Sequence, residues 1–400
     1  MGPLDGVRVV EMGAWVAGPA AGVVLADWGA DVVKIEGPGV GDPGRLFATI
    51  LGGDLPFNPP FEMDNRNKRS AVVDVRSEAG LAVALDLIGR ADVFLSNFRP
   101  AALERLGLGS EALLARNPGL VYGLITGYGL EGPDKDKAAY DIAGFWARAG
   151  IAHMLTQPGG VPPFQRGGMG DHSVGISTAG AICAALYSRE KTGKGQLVAT
   201  SLLRQGVYTL SFDLALALRL GVPLGVGDRK SMPNPVINNY CDKEGRWLWI
   251  VGLEADRHWP PLARALGHPE WAEDERFSTG AARAQNAREL TSILDAVFAT
   301  RTRDEWAAEF EKEPEVWWAP VQNLEEVIAD PQVGACGAFC EVPDGAGTTL
   351  LPNTPADFHG TPGDHTCMAP EQGQHTDEVL AELGLSPERI AELRASGAVA

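Results

Sequence analysis

No stretch of this 400-residue chain approaches the roughly 18 consecutive apolar residues of a membrane-spanning helix, so no spanning segment is expected. The opening MGPLDGVRVVEM lacks a basic region followed by an apolar run, so no secretory signal is expected. Cysteine is scarce: five residues, at 183, 241, 336, 340 and 367, an odd number that fits reduced thiols in a cytoplasmic protein. Positive charge is in deficit, with 34 Lys and Arg against 52 Asp and Glu and a formal net charge of −18. Such a chain repels a phosphate backbone, so nucleic acid is not an expected partner. The common nucleotide and hydrolase signatures are missing too. Gly193-Lys194 is followed by Gly195 rather than Ser or Thr, Gly37 to Gly41 lacks the dinucleotide-loop spacing, and no G-x-S-x-G occurs. Cys336, Cys340, His359, His365, Cys367 and His375 crowd one region, but their spacing fits no familiar zinc pattern, and no metal is expected.

What is present is an ordinary globular balance, 45% hydrophobic and 22% charged. The first two hundred residues alternate strand-like and helical runs. Strands are expected at 7–10, 31–36, 71–75, 92–96, 120–125 and 196–201. Helices are expected from Gly18-Pro19 to Asp27, from Ser77 to about Arg90, from Pro100 onward, and through the small-residue run 174–187. Alternation at this spacing argues for an α/β fold with a parallel sheet covered on both faces. The Pro- and Gly-dense stretch 222–235 reads as a crossing linker, and 236–328 as a second unit with a strand at 247–250. The last 70 residues read as loop until two short helices, the second opened by Ser386-Pro387.

Three groups of residues could carry chemistry. The densest basic cluster is Asn65-Arg66-Asn67-Lys68-Arg69. The second, Asn97-Phe98-Arg99, has Arg105 one to two helical turns later. In an acidic chain these could hold a polyanion with an adenine on Phe98, or they could be surface cations paired with nearby acids. The third is Gly167-Gly168-Met169-Gly170-Asp171-His172. Asp171 there is either a helix N-cap or a carboxylate nucleophile held ionised by helix-end N–H groups.

The order of the segments says more than any one of them. GVRVVEMGAWVAGPAAGVVLADWGADVVKIE, NRNKRSAVVDV, ADVFLSNFRPAALERLGL, GLITGYGLEGP, AAYDIAGF, GGMGDHSVG, KTGKGQLVATSLL, NPVINNYCDKEGRWL and APVQNLEEVIADPQV follow one another. In this order, from about residue 4 to about 360, the chain resembles the class III coenzyme A transferases, the family of formyl-CoA transferase, carnitine CoA-transferase and α-methylacyl-CoA racemase. The resemblance implies a Rossmann-like large domain built from both chain ends, 1–221 and 329–400, and a smaller central domain, 222–328. It implies an interlocked homodimer, and coenzyme A or acyl-CoA as substrate with no permanently bound cofactor. By matched position, Val16 and Ala17 line the CoA pocket. Asn65, Arg66, Asn67 and Lys68 approach the nucleotide or pantetheine. Asn97 and Phe98 flank the adenine, Arg105 takes a phosphate, and Lys137, Tyr140 and Asp141 border the thioester end. Asp171 matches the catalytic aspartate, with the backbone N–H groups of 167–170 as candidates for the oxyanion site.

The departures narrow the expectation. Racemases of the family carry His where this chain has Tyr140, and a phenol is a poor base at neutral pH. His153 and His172 are not at the matching position. Arg229 to Pro233 stands where formyl-CoA transferases have a glycine run, and Val16 where they carry Gln, which argues against formate or oxalate as substrates. The expected activity is transfer of coenzyme A from an acyl-CoA to a free carboxylic acid through an aspartyl anhydride and an aspartyl-CoA thioester. An α-methylacyl-CoA epimerase and a non-catalytic acyl-CoA-binding protein are the alternatives. Met169, Trp317 and Trp318 are candidates for an apolar acyl pocket.

Overall fold

The computed structural model describes residues 2–50, 52–53, 55–222, 224–225 and 227–400. The linker expected at 222–235 includes residues 223 and 226, which lie outside the described residues. The chain forms two compact units, one of Met1–Met154, Pro163–Leu224 and Gly334–Ala400, the other of Leu155–Pro162 and Gly225–Val333.

The first unit is built on six parallel strands: β1 (Arg8–Met12), β2 (Asp31–Glu36), β3 (Lys68–Val72), β4 (Val93–Ser96), β5 (Val121–Thr126) and β6 (Leu197–Ser201), in spatial order β3-β2-β1-β4-β5-β6. Strands buried on both faces are mostly apolar, and side chains of alternate residues feed different cores. Val9, Val32, Val93, Leu95 and Val121 pack with Ala21 and Val24 of the first helix, Ala17–Asp27, and with Val174 and Ile182 of the long helix, Met169–Thr192. Val10, Val33, Phe94, Tyr122 and Leu124 face the opposite core, with Val83 and Leu87 of the helix Glu78–Gly89. Val379, Leu380, Ile390 and Leu393 from the two C-terminal helices, Thr376–Glu382 and Pro387–Ala395, join that second core.

The first and long helices approach closely because their contact residues are small. A Cβ added at Gly175 would lie 2.9 Å from Ala20 Cβ and 3.1 Å from Ala21 N, inside normal contact distance. The helix Glu78–Gly89 starts as expected, with the Ser77 hydroxyl accepting from Gly80 N. Two expectations are corrected. The third strand begins at Lys68, inside the basic cluster rather than after it, because Lys68 and Ser70 point into polar interior sites. The C-terminal stretch is not loop alone: β10 (Phe339–Asp344) and β11 (Gly347–Pro352) pair as an antiparallel hairpin.

The second unit carries an antiparallel sheet of β7 (Ile237–Cys241), β8 (Trp247–Val251) and β9 (Trp318–Pro320) in the order β7-β8-β9. Leu248 and Ile250 are buried and the alternating Trp247, Trp249 and Val251 are exposed, the pattern of a sheet covered on one face. Trp259, Phe298, Trp306 and Phe310, from three helices, complete its core. Trp317 and Trp318 belong to this unit, the first against His258 and the second against Phe310. Arg229 pairs with Asp295 there, at 2.8 Å.

Candidate active site

The strand order reverses between β1 and β4, and in doubly wound sheets the crevice outside the C-terminal strand ends at that point is where ligands bind. A cavity of about 470 Å³ lies there. Ala14 and Trp15 after β1, Asn97 and Phe98 after β4, and Ile125 to Gly127 around the end of β5 line it. Arg99, Arg105, Lys135, Lys137 and Tyr140 complete the charged and aromatic part of the wall. Four of the positions expected from the sequence outside the glycine motif therefore meet with Tyr140 around one opening: Asn97, Phe98, Arg105 and Lys137. Asn97 also holds the loop after β1, accepting from Ala14 N at 2.9 Å and donating to Ala14 O at 2.8 Å.

The cavity is positively charged in a chain of net charge −18. Among the described residues, Arg99, Arg105 and Lys135 enter no ion pair within 4.0 Å, and Lys137 only a 3.8 Å approach to Asp134. Cations left without protein counter-charges beside an aromatic ring suit a polyanion carrying a flat base. Sequence reasoning missed Trp15 and Lys135 altogether, and placed Arg99 without assigning it. Trp15 has φ 64°, an unfavourable conformation for a residue with a side chain. Its N–H donates to Asp42 Oδ1 at 2.8 Å. The other Asp42 oxygen lies 2.8 Å from Lys34 Nζ, which is itself 2.8 Å from Glu11 Oε1 across the β1–β2 pair. A buried ion network thus fixes the wall that Trp15 presents, edge-on to Tyr140 with ring centroids 6.0 Å apart.

The basic cluster 65–68 is a correction to the anion-site expectation. Arg66 is fully buried and its guanidinium donates to Asp27 Oδ2 at 2.7 Å. Lys68 lies 2.7 Å from Glu11 Oε2 and donates to Pro19 O at 2.9 Å. Asn65 accepts from Lys68 Nζ at 3.1 Å and donates to Phe61 O. Asn67 donates to Asp27 and accepts from Thr366 N. These side chains serve interior carboxylates and backbone, and none lines the cavity. Burial works against both ions, pushing the Lys68 ammonium down to about 8, whereas Lys34 and Lys68 together more than offset it for Glu11, which is held at about 2.

Asp171 stands in the first turn of the long helix, and it is not the cap. The capping carboxylate is Asp141, which follows Tyr140 and turns inward. Asp141 Oδ2 accepts from Gly170 N at 2.9 Å and Asp171 N at 3.4 Å, while Oδ1 accepts from Gln165 Nε2 at 2.8 Å. Gly170 is required by this contact, since a Cβ there would lie 2.3 Å from Asp141 Oδ1. The N–H of Gly170 is therefore engaged, which corrects the expectation that 167–170 as a whole supplies an oxyanion site. Helix-end N–H groups do not hold Asp171 ionised either. Burial pushes its carboxyl up to about 7, helped by the like charge of Asp141, while His172 pulls the other way. Asp171 and Asp141 are not among the cavity lining. Ala17 is buried. Val16 reaches the glycine motif, its Cγ1 being 3.7 Å from where a Cβ on Gly168 would sit.

Cys340 is buried in the hairpin and donates to Leu351 O, and His365 lies 3.4 Å from Asp27. Among the described residues no group of three or more His, Cys, Asp or Glu could hold a metal ion. No helix among them is long and apolar enough to cross a membrane.

A family model described as CoA-transferase family III matches residues 4–376. The chain is 32% identical to (R)-2-hydroxy-4-methylpentanoate CoA-transferase of Clostridioides difficile, with 99% of each chain covered. It is 33% identical to cinnamoyl-CoA:phenyllactate CoA-transferase of Clostridium sporogenes, over 97% of this chain and 95% of that one. Among solved structures, a CaiB/BaiF family protein from Brucella suis superposes with a TM-score of 0.83 at 32% identity, covering 96% of this chain and 99% of that one.

Proposed function

The chain belongs to CoA-transferase family III and is a CoA-transferase, and we propose that Asp171 is the residue on which it carries the activated groups. A carboxylate Oδ of Asp171 attacks the thioester carbon of the donor, the C–S bond breaks, and the electron pair leaves with coenzyme A thiolate. The thiolate then attacks Cγ of Asp171, the anhydride C–O bond breaks, and the donor acid departs as carboxylate. The acceptor carboxylate attacks the resulting aspartyl thioester, and the two steps run in reverse. Each step exchanges one activated acyl bond for another, so the sequence closes without ATP.

The observation that carries this reading is the placement of Asp171. It is a poorly solvated carboxyl, pushed up to about 7, on a helix whose N-terminal N–H groups serve a second carboxylate. Weak solvation makes an ionised carboxylate a better nucleophile. The cationic cavity at the sheet's switch point takes the nucleotide of coenzyme A: Phe98 against the adenine, Arg105, Arg99 and Lys135 toward phosphates, Lys137 and Tyr140 toward the pantetheine end. The 65–68 cluster supports this wall from inside.

The protein works as a homodimer. Tyr208, Phe212 and Leu218 are 74%, 78% and 82% exposed on the helices Leu202–Thr209 and Ser211–Leu220, an apolar face that a second copy would cover. Five free cysteines suit a reducing compartment. The test of the nucleophile is incubation with acyl-CoA donors and a panel of acids, starting with 2-hydroxy acids because relatives are named for them. Hydroxylamine quenching should leave a hydroxamate on Asp171, and borohydride a primary alcohol. Continued transfer with no modification at Asp171 would overturn the reading.

A further inference from the structure

Resting on Asp171 as nucleophile, we infer that Asp64 and His172 form a carboxylate–imidazole pair that places a fixed positive charge beside Asp171 and keeps its carboxylate ionised for attack. Asp64 sits in the last turn of the helix Pro59–Asn65 and is 2% exposed. Its Oδ1 lies 2.9 Å from His172 Nε2. The other side of the imidazole rests on Gly168: a Cβ there would stand 2.9 Å from Cε1 and 3.0 Å from Nδ1. The ring is held between a buried carboxylate and a residue that must lack a side chain, one position after the nucleophile. An ordinary half-exposed histidine needs neither constraint.

The charges around it explain what the pair does. Asp171 shares the first turn of the long helix with His172. Asp141 faces Asp171 from the segment after Tyr140, and Asp64 faces His172 from the neighbouring helix, with Lys68 of β3 acting on Asp64's far side. Three carboxylates converge, and Asp141 has taken the helix N–H groups. Burial, Asp141 and Asp64 all disfavour ionised Asp171, and His172 favours it. Burial alone pushes the imidazole down, but the hydrogen bond and charge of Asp64, with the Gly168 backbone and the charge of Asp171, together more than offset this and hold it above its ordinary value. Neighbouring positions on a helix do not face each other, so His172 acts on Asp171 through space and takes no proton from it. It is a positioning residue: the imidazolium stays protonated through both half-reactions, while the thioester bond breaks and the anhydride bond forms at Asp171.

The test is the pH dependence of kcat/KM for transfer in wild type, His172→Gln, His172→Lys, Asp64→Asn and Asp171→Asn. Wild type should rise with pH along a single acid limb set by Asp171 and then level off. His172→Gln should move the acid limb up by about one pH unit, the effect of losing a near cation, and lower activity at pH 7 about fivefold. His172→Lys restores the charge and should return the acid limb to its wild-type position. Asp64→Asn should lower the pH at which the His172 ring titrates by NMR. Affinity for coenzyme A, read by calorimetry, should hold in all of them. An unmoved acid limb in His172→Gln, a His172 ring in wild type titrating at or below about 6.5, or an acid limb in His172→Lys like that of His172→Gln would overturn the pair. Substantial activity in Asp171→Asn would instead overturn the nucleophile itself. A dead Asp171→Asn alongside an unmoved limb in His172→Gln overturns the pair alone.

Discussion

Replacing Asp171 with Asn should make the protein more stable and inactive together, with a pH dependence that identifies the cause. In the fold the carboxyl is pushed from an ordinary 3.8 to about 7. A group raised in this way contributes stability that is fully present below the unfolded value and is lost as pH rises through the folded value. Below pH 3.8 both states hold the proton and the residue is neutral to stability. Between 3.8 and 7 the unfolded chain releases its proton first, and above 7 the folded state bears the full cost of a poorly solvated charge beside Asp141. Roughly three pH units at about 1.4 kcal/mol each set a ceiling near 4 kcal/mol, and relaxation and water entry reduce it to about 1–3 kcal/mol. Asn removes the charge and keeps the shape. Urea unfolding of wild type and Asp171→Asn at pH 4.5, 6 and 8 should show curves nearest one another at the lowest pH, within about 1 kcal/mol, and separating progressively above it. Asn should be the more stable at pH 8. A gap of the same size at every pH, or a wild type more stable than Asn at pH 8, would refute the reasoning, because neither follows from an ionisable group strained by burial.

Arg105→Ala should weaken coenzyme A binding and spare dephospho-CoA if its partner is the 3′-phosphate. Calorimetry with both ligands checks this, and an equal loss for both would move Arg105 to the pyrophosphate. Lys68→Met leaves Glu11 without one of its two buried counter-ions and should cost roughly 3–5 kcal/mol of stability in urea unfolding, with CoA affinity of the folded fraction changed little. A large affinity loss at unchanged stability would return Lys68 to the ligand. Sedimentation across nanomolar to micromolar protein should show a dimer throughout, with no folded monomer released by dilution alone. A reversible monomer with intact secondary structure would exclude interlocked rings.

The sheet was legible because its signal is local. VRVV and LVYGLI are nearly continuous apolar runs, which happens when both faces are covered, and Ser77 and Ser386 announce helix starts that the chain uses. Asn97 and Phe98 stand at the mouth of the sheet because they follow β4 directly, and Arg105 because it ends the helix that comes next. The hairpin at 339–352 was not legible, since CEVPDGAGTTL mixes turn residues with a short, half-exposed alternation that reads as loop. Gln165 and Asp42 carry no sequence signal at all. Each is a single polar residue in a loop, and its partner stands 24 residues away in Asp141 or 27 in Trp15.

The basic cluster was misread for a physical reason that composition conceals. An acidic total suggests that any local excess of Lys and Arg faces an anionic ligand. Yet the strand ends and loops of this sheet bury Glu11, Asp27, Glu36, Asp42 and Asp64, and each buried carboxylate needs a counter-charge more urgently than any surface acid does. Lys34, Arg66 and Lys68 answer that need at 0–1% exposure, and Arg45 does so for Glu36 at 2.6 Å. Around the cavity, Arg99, Arg105 and Lys135 enter no ion pair among the described residues, and Lys137 only a 3.8 Å approach to Asp134. The densest basic run in the sequence is the part already neutralised within. The same logic applies to the acids. Asp141 and Asp64 have hydrogen-bonded partners, and Asp171, which faces two like charges and one imidazole, is the carboxylate we propose as nucleophile.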